Sequence, residues 1–253
     1  MKDKLENTIL EYVNKFEQKK DVHSSWRTPL IAYADANDPL FEKLKEVVSE
    51  SHSLPKDLLN NAQTVISFFL PFDESINKSN IVGRLSSRKW AIAYIETNQL
   101  IYEINKQVKN FLKGEGYHST VIQATHNFNE EKLVSDWSHR HAAYIAGLGT
   151  FGINNMLITE KGCAGRVGSI ITDLQLEPTK RNEKENCLYK YNSSCKVCVN
   201  RCVNGSLQED SYNRYTCYEL CLENIEHHND LDLADVCGKC CVDLPCSTIN
   251  PVS

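Results

Sequence analysis

The sequence predicts a mixed α/β core followed by a cysteine-rich segment that binds metal. Apolar residues at helical spacing alternate with short, continuous apolar runs through the first 180 residues, a pattern typical of helices packed on strands. Ten of the eleven cysteines then lie between Cys187 and Cys246. We expect a core over residues 1–180 and a metal-binding module over residues 181–253, divided within the charged stretch 177–185.

The apolar pattern of the core predicts its helices and strands. We expect helices near residues 5–16, 39–51, 100–114 and 137–146, and strands near residues 64–71, 120–124 and 168–173. Pro71 ends the first strand, since proline cannot donate to a sheet. Asp136 stands at the N-cap position of the last helix, and Gly147 stands where that helix stops.

Composition and charge narrow the class of protein. The chain has 253 residues, with 41% hydrophobic and 24% charged residues, as in ordinary globular proteins. The net charge is −5, and no basic run is present to neutralise phosphates, which disfavours a nucleic-acid partner. No apolar run is long enough to span a membrane, and the first residues do not resemble a secretory signal. We therefore expect a cytoplasmic protein.

The cysteine spacing is typical of iron–sulfur clusters. One run places Cys195, Cys198 and Cys202 at intervals of three and four residues, and a second run begins with Cys237 and Cys240. Two-cluster ferredoxins use such runs, with the last cysteine of each run binding the other cluster. A zinc site would use four thiolates and leave six unexplained in the same segment. An odd number of cysteines without a secretory signal argues against disulfides.

This scheme assigns four ligands to each of two [4Fe–4S] clusters. One cluster takes Cys187, Cys195, Cys198 and Cys246, and the other takes Cys202, Cys217, Cys237 and Cys240. Three further cysteines are spare in this assignment: Cys163, Cys221 and Cys241. The choice between the adjacent Cys240 and Cys241 stays open.

A glycine-rich segment precedes the last strand of the core. Residues 146–155 read Ala-Gly-Leu-Gly-Thr-Phe-Gly-Ile-Asn-Asn, with three glycines in six residues. In the dinucleotide-binding fingerprint a strand precedes the glycines and a helix follows, whereas here the predicted order is reversed. A tight structural turn and a loop that cradles a cofactor both suit this segment, and the second is favoured beside a cluster-binding module.

At these residues the chain resembles the epoxyqueuosine reductase family and, more distantly, the corrinoid-dependent reductive dehalogenases. Residues 146–154 match the family's Ala-Gly-Leu-Gly-x-x-Gly-x-Asn segment, and residues 168–178 match its Gly-x-Ile-x-Thr-Asp-Leu-x-Leu-x-Pro strand. The resemblance implies a nitroreductase-like α/β core that binds cobalamin and a C-terminal ferredoxin-like module with two [4Fe–4S] clusters. The cofactor-binding residues it implies are Gly147, Gly149, Gly152, Asn154, Gly168 and Thr172.

The chain also departs from the family pattern. The first cysteine of the family's first run falls at Asn192, so Cys187 has to substitute for it. The family's acidic proton donor falls at Leu133, and Asp136 or His139 are the candidates to replace it as catalytic residues. The family's tRNA-modifying members continue into a helical-repeat region that grips tRNA, and the sequence ends at residue 253 without one. Epoxyqueuosine in tRNA is therefore disfavoured as the substrate.

The resemblance implies an iron–sulfur, corrinoid-dependent reductase that acts on a small molecule. Reduced ferredoxin or flavodoxin would supply electrons through the two clusters to the cobalt of cobalamin. The loss of the family's acid favours an alternative, in which the protein is a non-catalytic electron carrier or reduces cobalamin for another enzyme. Retention of the complete glycine segment favours the enzyme.

Overall fold

The computed structural model describes residues 1–123 and 128–252. Its helices are α1 (Lys2–Glu17), α2 (Leu40–Val47), α3 (Pro55–Leu58), α4 (Glu74–Ser79), α5 (Arg88–Gly114), α6 (His139–Ile145), α7 (Leu188–Asn192), α8 (Val197–Asn200) and α9 (Arg214–His227). Its strands are β1 (Leu30–Asp35), β2 (Thr64–Pro71), β3 (Ser119–Val121), β4 (Gly149–Phe151), β5 (Leu157–Thr159) and β6 (Gly165–Thr172). The predicted mixed α/β architecture is confirmed.

An antiparallel sheet in the order β1-β2-β6-β3 lies at the centre of the core. Every residue of β2 is buried, because helices cover both faces of the sheet. Ile66 and Phe68 point to the face covered by α1 and α5, and Val65 and Phe69 point to the face covered by α6 and α2. Burial on both faces explains why this strand reads as a continuous apolar run.

The helix before the glycine segment is shorter than predicted and begins with a different cap. The N-cap residue of α6 is Ser138, whose Oγ accepts a hydrogen bond from the backbone N–H of His141 at 3.4 Å. The prediction of Asp136 as the cap is therefore wrong. The predicted strand at 120–124 is confirmed only in β3, and its last residue lies outside the described part of the chain.

The cysteine-rich segment packs directly on the core. Cys187, Cys241 and Val242 belong to the same buried cluster as the α1 and α5 side of the sheet. The backbone N–H groups of Cys163 and Ala164 donate to the carbonyls of residues 246 and 247 at 2.9 and 3.0 Å. The proposed boundary near residue 180 stays a prediction. Within the residues described, no helix combines the length and the apolar character needed to cross a membrane.

Candidate functional site

Four cysteines surround one small cavity. Cys187 is the N-cap residue of α7, Cys195 precedes α8, and Cys198 is buried within α8. Cys246 reaches the same cavity from the last turns of the chain, and Leu244 closes it from the side. These are the four cysteines that the spacing assigns to the first cluster, and the structure brings them together.

A second, larger cavity of about 370 Å³ is also lined by cysteines. Cys202 follows α8, Cys217 lies in α9, and Cys237 and Cys240 lie on either side of the turn at Gly238. These four are the set assigned to the second cluster. Their common cavity supports that assignment, while their role as ligands stays a prediction.

The two cysteine sets are neighbours. Asn154 lines both cavities, and its Nδ2 donates a hydrogen bond to the carbonyl of Cys240 at 2.8 Å. The pKa of the Cys198 thiol in the first set is raised to about 12, mainly by burial and next by the charge of Cys240 in the second set. Two centres held by these thiols would therefore lie side by side.

Burial and hydrogen bonding set the protonation of the thiols in the second cavity. Burial raises the pKa of Cys237 to about 12. Cys217 behaves in the opposite way, since a hydrogen bond from the Cys221 thiol is the first cause that lowers its pKa to about 6. Tyr212 and Ser206 donate further bonds to the same sulfur. Because metal ligation requires thiolates, loading this set would release protons.

The donor chemistry fits iron–sulfur clusters. Both sets consist of thiols alone, which are the ligands that hold four-iron clusters. Among the residues that the structure describes, no three His, Cys, Asp or Glu side chains are grouped closely enough to hold a single metal ion. The thiols are instead spread around the walls of two cavities.

The three spare cysteines all lie in the wall of the larger cavity. Cys221 stands one helical turn after Cys217 on α9, so both face the same side of the helix. The sulfur of Cys241 lies 4.0 Å from the sulfur of Cys240. The sulfur of Cys163 lies 4.0 Å from the carbonyl of Cys241. The choice between Cys240 and Cys241 therefore stays open.

The glycine segment is required by the packing of the chain itself. A Cβ at Gly149 would lie 2.1 Å from the carbonyl oxygen of Ile158 on the paired strand β5, and its φ is outside the left-handed region. Gly147 does have a positive φ of +86° and approaches the carbonyl of Lys180. A Cβ at Gly152 would lie 2.6 Å from the side chain of Asn154. Each close approach is to the protein's own atoms.

The other predicted cofactor residues divide between the cavity and the core. Gly168 in β6 lies against the ring of Phe68, and the hydroxyl of Thr172 donates to the carbonyl of His118 at 2.8 Å. Of the six residues, Asn154 lines the cysteine-lined cavity of about 370 Å³, whereas Gly147 and Gly149 line a separate cavity of about 570 Å³. Cobalamin binding stays a prediction.

The two candidate proton donors lie away from the thiols. The carboxylate of Asp136 is exposed and accepts a hydrogen bond from the Ser51 hydroxyl at 2.6 Å. His139 is buried, and its Nε2 donates to the carbonyl of Gln123 while its Nδ1 accepts from the Ser169 hydroxyl at 2.7 Å. Neither residue is part of the cavity wall, whereas the neighbouring Arg140 is. Their catalytic role stays a prediction.

His139 is expected to make folding stability depend on pH. Burial lowers its pKa from 6.5 to about 4. Between these two values the imidazole is protonated in the unfolded chain and neutral in the folded protein. Between pH 7 and pH 5 this costs the folded protein about 2 kcal/mol. In urea unfolding, the unfolding free energy of wild type minus that of His139→Gln should decrease by this amount from pH 7 to pH 5. A difference that is equal at both pH values would contradict the assignment.

One residue of the larger cavity, Lys239, is not predicted from the sequence. Lys239 is 1% exposed, and its Nζ donates to the carbonyls of Asn80 and Val82 at 2.9 Å each. A buried lysine is rare, and this one lies between Cys237 and Cys240, where its positive charge offsets thiolate charge. The spacing of cysteines predicts the ligands but not the cation among them.

Comparisons with solved structures place the fold. A selenomethionine-labelled epoxyqueuosine reductase superposes with a TM-score of 0.58 at 18% identity, covering 97% of this chain and 66% of that one. The enzyme from Streptococcus thermophilus gives 0.53 at 17% identity over 97% of this chain and 69% of its own. Epoxyqueuosine reductase with a stem loop of epoxyqueuosine-modified tRNA gives 0.55 at 18% identity over 87% and 57%.

No family model matches the sequence, and the search of curated proteins gives no significant match. The chain spans between 57% and 69% of the length of the three solved structures. At 17–18% identity the similarity concerns the fold. The sheet, its covering helices and the cysteine-rich segment of this chain therefore have the fold of an epoxyqueuosine reductase.

Proposed function

We propose that this protein is an iron–sulfur reductase of a small molecule. The observation that carries the proposal is the gathering of two sets of four cysteines around two adjacent cavities. Four-iron clusters supply one-electron transfers when bound by such thiols. The second cavity, of about 370 Å³, extends to charged and aromatic side chains that can hold a substrate.

The chain's own residues would shield and tune the two centres. Leu207 and Leu244 pack between the cysteine sets and exclude water from the space between them. Leu207 also donates its backbone N–H to the sulfur of Cys202 at 3.3 Å, a bond that stabilises a thiolate. Together with the buried ammonium of Lys239, these contacts favour a reduced, more negative centre.

The electron donor and the cobalamin are parts of the proposal that rest on the resemblance. Reduced ferredoxin or flavodoxin is the donor it implies. An added Cβ at Gly149 or Gly152 would meet the chain's own atoms, while Gly147 and Gly149 line a cavity separate from the thiols. Cobalamin binding is therefore a separate measurement.

Anaerobically prepared protein is expected to contain about eight irons per chain, as two four-iron clusters require. Cys187→Ser and Cys217→Ser should each lower the iron content to about four, since each removes one ligand from a different set. Cys163→Ala serves as the control, because Cys163 belongs to neither set, and it should retain the full content. Stoichiometric zinc without acid-labile sulfide would end the iron–sulfur proposal.

Two further measurements separate the enzyme from its alternatives. Stoichiometric binding of added hydroxocobalamin, followed by its reduction without any substrate, would identify a cobalamin-handling protein or electron carrier. A stem loop of epoxyqueuosine-modified tRNA is the second test ligand, because one structure of the same fold contains it. Turnover of that stem loop would replace the small-molecule substrate with tRNA.

A further inference from the structure

The larger cavity has a wall that the cluster ligands do not explain. Trp90 and Tyr94 of α5 and Arg166 of β6 form this part of the lining, here called the Arg166 wall. The three side chains come from the core, whereas the cysteines around the cavity come mostly from the C-terminal segment. Any molecule between them would contact both parts of the protein.

Arg166 is held in place by stacking and has an N–H without a partner in the part of the chain described. Its guanidinium carbon lies 4.2 Å from the centre of the Tyr94 ring, a stacking contact that orients the group. Its Nε is buried and has no hydrogen-bond partner in the part of the chain described. The ion pairs formed by the described residues do not include Arg166. The wall therefore presents a guanidinium with an unused N–H, and the carboxylate of Asp235, which accepts a hydrogen bond from the Tyr94 hydroxyl at 2.5 Å, lines the same cavity.

Trp90 supplies a second unused donor. Its side chain is 4% exposed, and its Nε1 is buried without a partner among the described residues. Buried donors are nearly always bonded, because leaving one unpaired after taking it from water is costly. Two such donors in the lining of one cavity indicate that the cavity holds an acceptor when the protein works.

The apolar residues of the lining favour a ligand with an apolar part. Phe72, Met156, Leu220 and Val236 contribute apolar surface to the same cavity. Arginine and an N–H donor match the two oxygens of a carboxylate, which the guanidinium binds more tightly than a neutral acceptor. The cavity has about 370 Å³, which the second cluster would share, so the space left suits a small ligand.

We propose that the Arg166 wall is a carboxylate-binding subsite, which takes a small carboxylic acid with an apolar body. The carboxylate contacts Arg166 and the indole N–H of Trp90, and the apolar body lies toward the second cysteine set. This inference rests on the proposed function in one respect: it makes that acid the substrate class of the reductase. The binding itself does not depend on electron transfer.

The test uses anaerobically prepared, iron-containing protein with benzoate as the probe and benzamide as its neutral counterpart of similar shape. Calorimetric titration should show benzoate binding at least about 10-fold more tightly than benzamide, equivalent to about 1.4 kcal/mol. Arg166→Gln should weaken benzoate by about 10-fold and leave benzamide unchanged, with Arg166→Lys in between. Trp90→Phe should weaken benzoate several-fold. Arg84→Gln is the matched control, because its exposed guanidinium is paired with Glu223 outside the cavity.

Benzoate affinity that is equal in wild type and Arg166→Gln would overturn the subsite. The subsite would also be overturned if wild type does not bind benzoate and Arg166→Gln alters the electron paramagnetic resonance signal. The N–H donors of Arg166 and Trp90 would then bond to the sulfur atoms of the cluster. Iron and sulfide are measured in every preparation. Protein that binds benzoate through Arg166 but contains no iron would support the subsite and contradict the proposed reductase. Iron-loaded protein that binds benzoate and benzamide equally would support the reductase and contradict the subsite.

Discussion

Gly149→Ala is expected to destabilise the folded protein by about 3 kcal/mol or more, as severe overpacking does. The added Cβ would lie 2.1 Å from the carbonyl oxygen of Ile158, and backbone on the paired strand cannot rotate away as a side chain can. The two strands must separate. Ile158 also lines the first cysteine cavity, and its carbonyl accepts a hydrogen bond from Asn186, the neighbour of Cys187. Iron in the first set should therefore be lost as well.

Gly114→Ala is the control, because a Cβ at Gly114 meets no atom within 4 Å and its backbone is helical. Chemical unfolding and iron analysis of both variants measure the effect. A Gly149→Ala protein that keeps wild-type stability and both iron sites, yet loses cobalamin binding, would contradict this account. Such a protein would support the loop as a cofactor cradle.

Gly238→Ala is expected to abolish iron binding in the second cysteine set and to spare the first. Gly238 has a φ of +71°, and a Cβ there would lie 2.2–2.4 Å from the indole of Trp90. Gly205→Ala is a closely matched control, since its φ is +72° and the nearest atom to an added Cβ is 3.8 Å away. Both variants carry the backbone strain of about 1 kcal/mol, and only the first carries the clash.

The readout for this pair is iron content together with the spectrum of the reduced protein. Gly205→Ala should retain about eight irons with slightly lower stability, whereas Gly238→Ala should retain about four. Equal losses in the two variants would mean that strain alone disturbs the second set. In that case the packing of Trp90 on the cysteine turn would have no part in holding the site.

The sequence predicts the parts of this structure in which one physical requirement dominates. β2 is predicted at its observed position, because burial on both faces demands an uninterrupted apolar run. The two cysteine sets are predicted because cluster ligation imposes a spacing on the chain. By contrast, α9 is not predicted. Its buried residues are Leu220 and Asn224, so its sequence has no apolar stripe that would reveal it.

The sequence pattern does not predict which atoms surround the glycine segment or the Arg166 wall. Three close glycines indicate a close approach, but not whether the approaching atoms belong to a ligand or to the chain itself. Likewise, Arg166, Trp90 and Lys239 are far apart in sequence and meet only through the fold. Their charges and unused donors become visible once the neighbouring atoms are known.

The path of residues 246–248 has a consequence for how the first cysteine set is completed. Cys246 reaches the first cavity because its carbonyl and that of Ser247 accept hydrogen bonds from the core, and Arg27 holds the carbonyl of Thr248 at 2.8 Å. During synthesis the other three thiols of that set leave the ribosome some fifty residues earlier. The first set therefore stays incomplete after its other three thiols have been made, until residues 246–248 have docked against the core. Iron insertion at this set must follow that docking.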